Sequence, residues 1–269
     1  MSIIAAKDRS SYQNDFYNRI AANAVPSATK ASLRKFLRAI DLVGWSRREE
    51  SGRVDRRAFT RFAVGEKAVF SRREYKEAER TVVSLLIDAS GSTYAKVVDE
   101  DNKKIDKKRI EVFTDIAAVL SKLLDESKAT FKVQSFSYRG SESVGIERVT
   151  LVEYKGYGES LRKCAANIAT LPQNSGGSTP DYSAVYTEVV ELAKRPESHR
   201  VLLLITDADD YDTGLCKHLD AVAKRLGVTI VAICVGGDIS KCYTNHANAK
   251  TAKQLFEKSF STLLNTIRR

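Results

Sequence analysis

Five oxygen-bearing residues have the types and spacing to act together: Asp88, Ser90 and Ser92 in SLLIDASGSTY, Thr179 in GGSTPDYSAV, and Asp207 in LLLITDADDYD. Asp88 and Asp207 each close an aliphatic run, so each is delivered to the end of a strand. Gly176 and Gly177 open the turn before Thr179, and Pro180 suits the first position of a following helix. Every donor is oxygen, which selects a hard cation. Mg²⁺ or Mn²⁺ accepts octahedral oxygen coordination and keeps several waters, so three hydroxyls and two carboxylates suffice and one position stays open. That donor set leaves the ion undercharged, and a carboxylate from another chain is the natural further ligand.

Other chemistries find no support in the sequence. The histidines, His199, His218 and His246, lack the HExxH spacing of a zinc hydrolase, and Cys164, Cys216, Cys234 and Cys242 contain no CxxC pair. Reduced, buried thiols are expected. GxxxxGK[ST], GxSxG and GxGxxG are all absent, so no phosphate-binding loop, hydrolase elbow or dinucleotide fingerprint is present. Asp209, Asp210 and Asp212 do not make a calcium loop with Asp207, because Tyr211 and His218 fall where oxygen ligands are needed. These acids are expected to form a solvated rim.

The elements that must position the five residues follow from periodicity. From residue 81 onward short aliphatic runs alternate with amphipathic stretches, which predicts an α/β domain: a doubly wound, mostly parallel Rossmann-like sheet covered by helices on both faces. ERVTLVEY is expected to pair antiparallel with TFKVQSFSY, since no helix fits between them. Ligand sites in such sheets lie outside the carboxyl ends of the strands, where the three oxygen-bearing loops converge. The charged stretch from Ala95 to Lys108 delays the next helix and reads as a surface loop. Residues 1–80 read as a helical, basic extension to a domain spanning 81–269. It opens with two helices separated by Pro26, the second carrying an apolar stripe of Leu33, Phe36, Leu37 and Ile40.

At 269 residues and 43% hydrophobic content the chain can build one sizeable core with an appendage. Residues 1–80 hold 18 Lys and Arg against 10 Asp and Glu, so most of the net charge of +10 lies there. The stretch from Arg47 to Arg80 interleaves arginines with Phe59, Phe62, Phe70 and Tyr75. Nucleic acid binding is the alternative function this arm suggests, through phosphate contacts and base stacking. Interspersed acids and the lack of a nucleic-acid module signature favour packing or protein docking. Removal of residues 1–46 is then expected to leave a soluble metal-binding domain. No apolar run reaches the roughly 18 residues that span a bilayer, and the start of the chain turns polar early, so a cytoplasmic location without membrane partners is expected.

The D-x-S-x-S of Asp88, Ser90 and Ser92, followed in order by Thr179 and Asp207, resembles the metal-ion-dependent adhesion site of a von Willebrand factor A domain. The resemblance covers roughly residues 81 to 269. Upstream, GRVDRRAFTRFAVGEKAVFSRREYKEAERTVVSLLIDASGST is similar to the segment leading into that domain in the metal-site subunit of aerobic cobaltochelatase. Here DASGST stands where that family commonly has DNSGSM, with the three ligands intact. The long acidic stretch of full chelatase subunits is missing, and the length matches compact versions found beside a MoxR-like ATPase in some bacteriophage genomes. The resemblance implies a non-catalytic subunit that binds a client carboxylate through Mg²⁺ and partners a MoxR-like AAA+ ATPase.

Overall fold

Three aliphatic runs, TVVSLLID, HRVLLLIT and VTIVAICV, form neighbouring parallel strands because their side chains can be buried on both faces of a sheet. The computed structural model describes residues 6–38, 44–49, 51–55, 58, 62, 65, 67–74, 81–98, 104–138, 149–209, 211–260 and 264. In chain order the elements are α1 (Ala6–Ala22), α2 (Ser27–Arg38), β1 (Gly44–Glu49), β2 (Arg53–Val54), β3 (Phe70–Glu74), β4 (Thr81–Asp88), β5 (Lys96–Val98) and β6 (Lys104–Lys108). There follow α3 (Arg109–Glu126), β7 (Thr130–Ser137), β8 (Thr150–Lys155), α4 (Leu161–Ala169), α5 (Asp181–Ala193) and β9 (His199–Thr206). The chain closes with α6 (Thr213–Arg225), β10 (Val228–Val235), β11 (His246–Ala249) and α7 (Ala252–Gln254), the last running into a π-helical turn at Leu255–Ser259.

Among the described residues the main sheet has the order β11-β10-β9-β4-β7-β8. All neighbours are parallel except the edge strand β8, which runs antiparallel to β7. Alternation along β4 sends Val83, Leu85 and Ile87 into one apolar layer and Val82 and Leu86 into the other. The first layer holds side chains of α1, α2, α3, α4 and the carboxyl-terminal helical turns; the second holds those of α5 and α6. The doubly wound α/β reading and the antiparallel edge strand are both met. All four cysteines are buried and free, and no helix among the described residues is long and apolar enough to cross a membrane.

The amino-terminal region is organised differently from the expected helical arm of residues 1–80. Helices α1 and α2 pack as part of the sheet domain: Met1–Leu37 and Arg80–Arg269 form one unit and Arg38–Glu79 another. Phe16 is fully buried and Leu33 nearly so, Arg19 donates to Asp115 of α3 at 2.8 Å, and the Thr29 hydroxyl donates to the carbonyl of Phe256 at 2.7 Å. The stripe Leu33, Phe36 and Leu37 faces the core, while Ile40 lies outside the described residues. The second unit is not helical throughout. Strands β1, β3 and β2 form an antiparallel sheet in which Gly44 pairs with Glu74 and Arg47 with Ser71. Such a pairing joins segments far apart in sequence, which a local period cannot reveal. The stretch read as a loop between Ala95 and Lys108 likewise carries a small hairpin, with Lys96 opposite Lys108 and Val98 opposite Lys104.

Candidate metal centre

Strand β4 ends at Asp88 and its parallel neighbour β9 at Thr206, with Ile87 beside Ile205, so Asp88 and Asp207 emerge together at the carboxyl rim of the sheet. Both acids are buried, Asp88 at 0% and Asp207 at 2% exposure. The Ser90 amide donates to Asp88 Oδ1 at 2.9 Å and the Thr206 hydroxyl to Oδ2 at 3.0 Å. Ser90 Oγ and Ser92 Oγ stand 3.0 Å apart. A 3₁₀ turn at Gly91–Tyr94 presents them, closed by the Thr93 hydroxyl donating to the Ser90 carbonyl at 2.7 Å.

The loop that carries Thr179 is laced to this turn by its backbone. Gly176 N donates to the Ala89 carbonyl and Gly91 N to the Gly177 carbonyl, both at 2.7 Å, while Tyr138 N donates to the Ser178 carbonyl at 3.1 Å. The Tyr94 hydroxyl adds a contact to the Ser175 carbonyl at 3.2 Å. Gly177 has φ +89°, and a Cβ there would lie 1.7 Å from the Tyr138 carbonyl oxygen, so only glycine fits. Gly177→Ala is therefore expected to destabilise the protein by roughly 2–4 kcal/mol and to weaken Mn²⁺ binding together with it. Thermal denaturation and calorimetry check this, and an unchanged midpoint would show that the loop is not held against Tyr138.

Of the five residues anticipated from sequence, Asp88, Ser90, Ser92 and Asp207 thus form one cluster at the rim. Thr179 sits half-buried on the loop bound to that cluster, two residues beyond Gly177. The acids that follow Asp207 are not all rim. Asp212 caps α6, accepting from Gly214 N at 2.7 Å and Leu215 N at 3.0 Å, which a sequence reading of charge alone overlooks. Asp209 is exposed and Asp210 lies outside the described residues. The hydroxyl of Tyr211 is buried, so the segment turns its phenol inward.

The electrostatics of the cluster decide what it can hold. Burial, and then the neighbouring Asp207 charge, push the Asp88 carboxyl up to about 7 against the opposing hydrogen bonds from Ser90 and Thr206. The hydrogen bonds to Asp88 come from neutral donors, an amide and a hydroxyl. Asp207 has a guanidinium partner in Arg109 at 3.0 Å, whereas the buried Asp88 carboxylate has only neutral donors and stays uncompensated unless further positive charge joins it. Buried paired carboxylates with hydroxyl oxygens at 3.0 Å from one another therefore fit a hard divalent cation. Among the described residues no group of three or more His, Cys, Asp and Glu side chains could hold a metal, so a site here depends on Ser and Thr oxygens as much as on carboxylates.

Two participants escaped the sequence reading. Thr206 supports Asp88 through its hydroxyl, which also accepts from Ala208 N at 3.0 Å; its place just before Asp207 was the available signal. Arg109, the first residue of α3, donates from Nη1 to Asp207 Oδ2 at 3.0 Å. Nothing in its local sequence marks it.

No protein-family model matches the chain, and no curated protein matches it either. Solved structures do. The PilB minor pilin from Streptococcus sanguinis is similar at 13% identity over 76% of this chain and 66% of that one, with a TM-score of 0.52. The pilus adhesin SpaC from Lactobacillus rhamnosus GG is similar at 11% identity over 72% of this chain and 30% of that one, with a TM-score of 0.50. Proximal thread matrix protein 1 from the mussel byssus, in a form with a zinc-occupied metal-ion-dependent adhesion site, gives 16% identity, 69% and 46% coverage, and a TM-score of 0.46. At such identities the likeness is one of fold. The fold is a Rossmann-like α/β fold of the von Willebrand factor A type.

Proposed function

We propose that this chain is a magnesium- or manganese-dependent protein-binding module. In this reading it captures a carboxylate offered by a partner and serves as the non-catalytic adaptor of a MoxR-like AAA+ ATPase, in the manner of the cobaltochelatase subunits it resembles. The observation that carries the reading is the buried rim cluster, in which Asp88, Ser90, Ser92 and Asp207 meet and the Thr179 loop is laced to them by backbone hydrogen bonds. Asp88, Ser90, Ser92, Thr179 and Asp207 would hold the ion, and a bound divalent cation supplies Lewis acidity toward an oxygen from outside the chain. The residues do the rest. Ser90 N and Thr206 hold the Asp88 carboxylate in one orientation, and the 3₁₀ turn keeps both serine hydroxyls on the same side. Two acids among three neutral hydroxyls leave the site short of negative charge, which favours an acidic partner over a neutral one.

The sequence has no nucleotide-binding loop, so force for capture and release is assigned to the ATPase. Thr179→Ala is expected to weaken Mn²⁺ binding by at least roughly tenfold with the thermal midpoint of the metal-free protein unchanged. Magnesium-dependent co-purification with a MoxR-like ATPase hexamer, lost in EDTA and in Thr179→Ala, is the matching test of the adaptor role. ATP hydrolysis by the purified chain alone, or complex formation undiminished in EDTA, overturns this function.

A further inference from the structure

Arg109 stands where a cation ligand site would least be expected to tolerate it. Its guanidinium donates to Asp207 Oδ2 at 3.0 Å, and its side chain is 22% exposed against 0% for Asp207. The placement is built. Arg109 N donates to the Ala95 carbonyl at 2.9 Å, which ties the start of α3 to the end of the serine-bearing turn. On the other side the guanidinium packs against Gly236, just beyond β10. A Cβ there would lie 3.1 Å from Arg109 Nε, and Gly236 has φ +87°. The arginine therefore spans from the first loop of the site to the third, and a glycine leaves the space it occupies.

We infer that Arg109 is a resident counter-cation of the metal centre, a positioning residue that competes with the divalent ion for Asp207 and sets its affinity. The inference rests on the metal reading proposed above. With Asp88 supported by neutral donors and Asp207 by a guanidinium, the two acids are unequal. Asp207 is charge-compensated in the metal-free protein and Asp88 is not. A fixed positive group this near lowers the attraction of the site for any cation, because the interaction is weakly screened in a buried setting. It also holds Asp207 Oδ2 in one direction, so that the remaining oxygen, Oδ1, is the one turned to other partners. Asp209 N already approaches Oδ1 at 3.4 Å. The consequence is a site that binds its ion reversibly rather than as a permanent structural metal, as a capture-and-release module requires.

The test compares the full chain with Arg109→Gln and Arg109→Lys, using Mn²⁺ alone as the probe. Calorimetry is expected to show Arg109→Gln binding Mn²⁺ at least tenfold more tightly than wild type, and Arg109→Lys within threefold of wild type because the charge is kept. Thermal denaturation supplies a second readout that a purely structural arginine would not move in this way. Without metal, Arg109→Gln melts below wild type, since Asp207 loses its partner. With saturating Mn²⁺ the deficit closes, so the metal-induced rise in midpoint is larger in the variant. Equal or weaker Mn²⁺ binding in Arg109→Gln, or a metal-induced rise no larger than in wild type, overturns the inference and leaves the metal site standing. Absence of Mn²⁺ binding in wild type and both variants overturns the metal reading and this inference together.

Discussion

Asp88→Asn is expected to abolish Mn²⁺ binding at pH 8, a loss of at least a hundredfold, while making the metal-free protein more stable than wild type at that pH. The two effects share one cause. Asp88 is fully buried beside Asp207, and its carboxyl is pushed up to about 7, first by burial and then by that neighbouring charge. In the unfolded chain it ionises near the ordinary aspartate value of about 3.9. Because the folded value is the higher one, the folded protein holds a proton that the unfolded chain has released between about pH 4 and pH 7. Metal-free stability is then fully present below about pH 4 and is lost as pH rises to about 7, by on the order of 4 kcal/mol. Asparagine never ionises, so the variant is spared that loss, and its advantage should vanish near pH 4. Metal binding runs the other way, since the ion needs the carboxylate: wild-type affinity for Mn²⁺ should rise with pH through about 7 and level off above it. Calorimetry and thermal melts across pH 4 to 8 read both curves. A metal-free wild type whose stability does not fall from pH 4 to pH 7 would remove the electrostatic account of Asp88.

Removing residues 1–37 is expected to leave an insoluble or unfolded product, which reverses the sequence-based expectation of a soluble domain after removal of residues 1–46, because α1 and α2 belong to the sheet unit. Helix α1 packs on α3 and α4, and it buries Phe16 completely, with Leu33 of α2 nearly so. Its loss also strips Asp115, whose side chain is 2% exposed, of the Arg19 guanidinium at 2.8 Å. Lys107 remains on the other oxygen of Asp115, yet breaking a largely buried ion pair typically costs about 3–5 kcal/mol. Phe16→Ala alone should cost about 3–5 kcal/mol through the cavity it leaves. Domains of this size typically hold only about 5–15 kcal/mol in all, so the two losses together consume most of the margin. Chemical denaturation of Phe16→Ala and solubility of the truncated chain measure this. A soluble truncated protein with native-like circular dichroism would return the helices to the status of a separable arm.

How much could be read in advance differs from one part of the molecule to another. The strands leading to Asp88 and Asp207 were legible because continuous aliphatic runs closed by an acid have few other fates than a buried parallel strand opening at its rim. The hairpin at residues 96–108 was not, because its short strands carry mostly lysines and acids with no apolar alternation. The division at residue 80 placed one boundary of the sheet domain and missed that the chain's first two helices return to it. The apolar stripe on α2 announced a buried face without naming what would cover it.

The amino-acid sequence alone determined the order of the oxygen donors and the elements beside them: Asp88 and Asp207 where aliphatic strands end, Ser90 and Ser92 in the turn that follows the first, and Thr179 in the glycine-opened loop before a helix. Tertiary structure alone decided which charges meet. Lys132, in a strand whose neighbours alternate like a half-exposed one, is 2% exposed and pairs with buried Glu188 at 2.9 Å across 56 residues of sequence. Arg109 reaches Asp207 across 98 residues. Side-chain type and local period specify a residue's conformation, but a buried ion pair depends on which faces come together once the layers pack, and no window of sequence contains both partners.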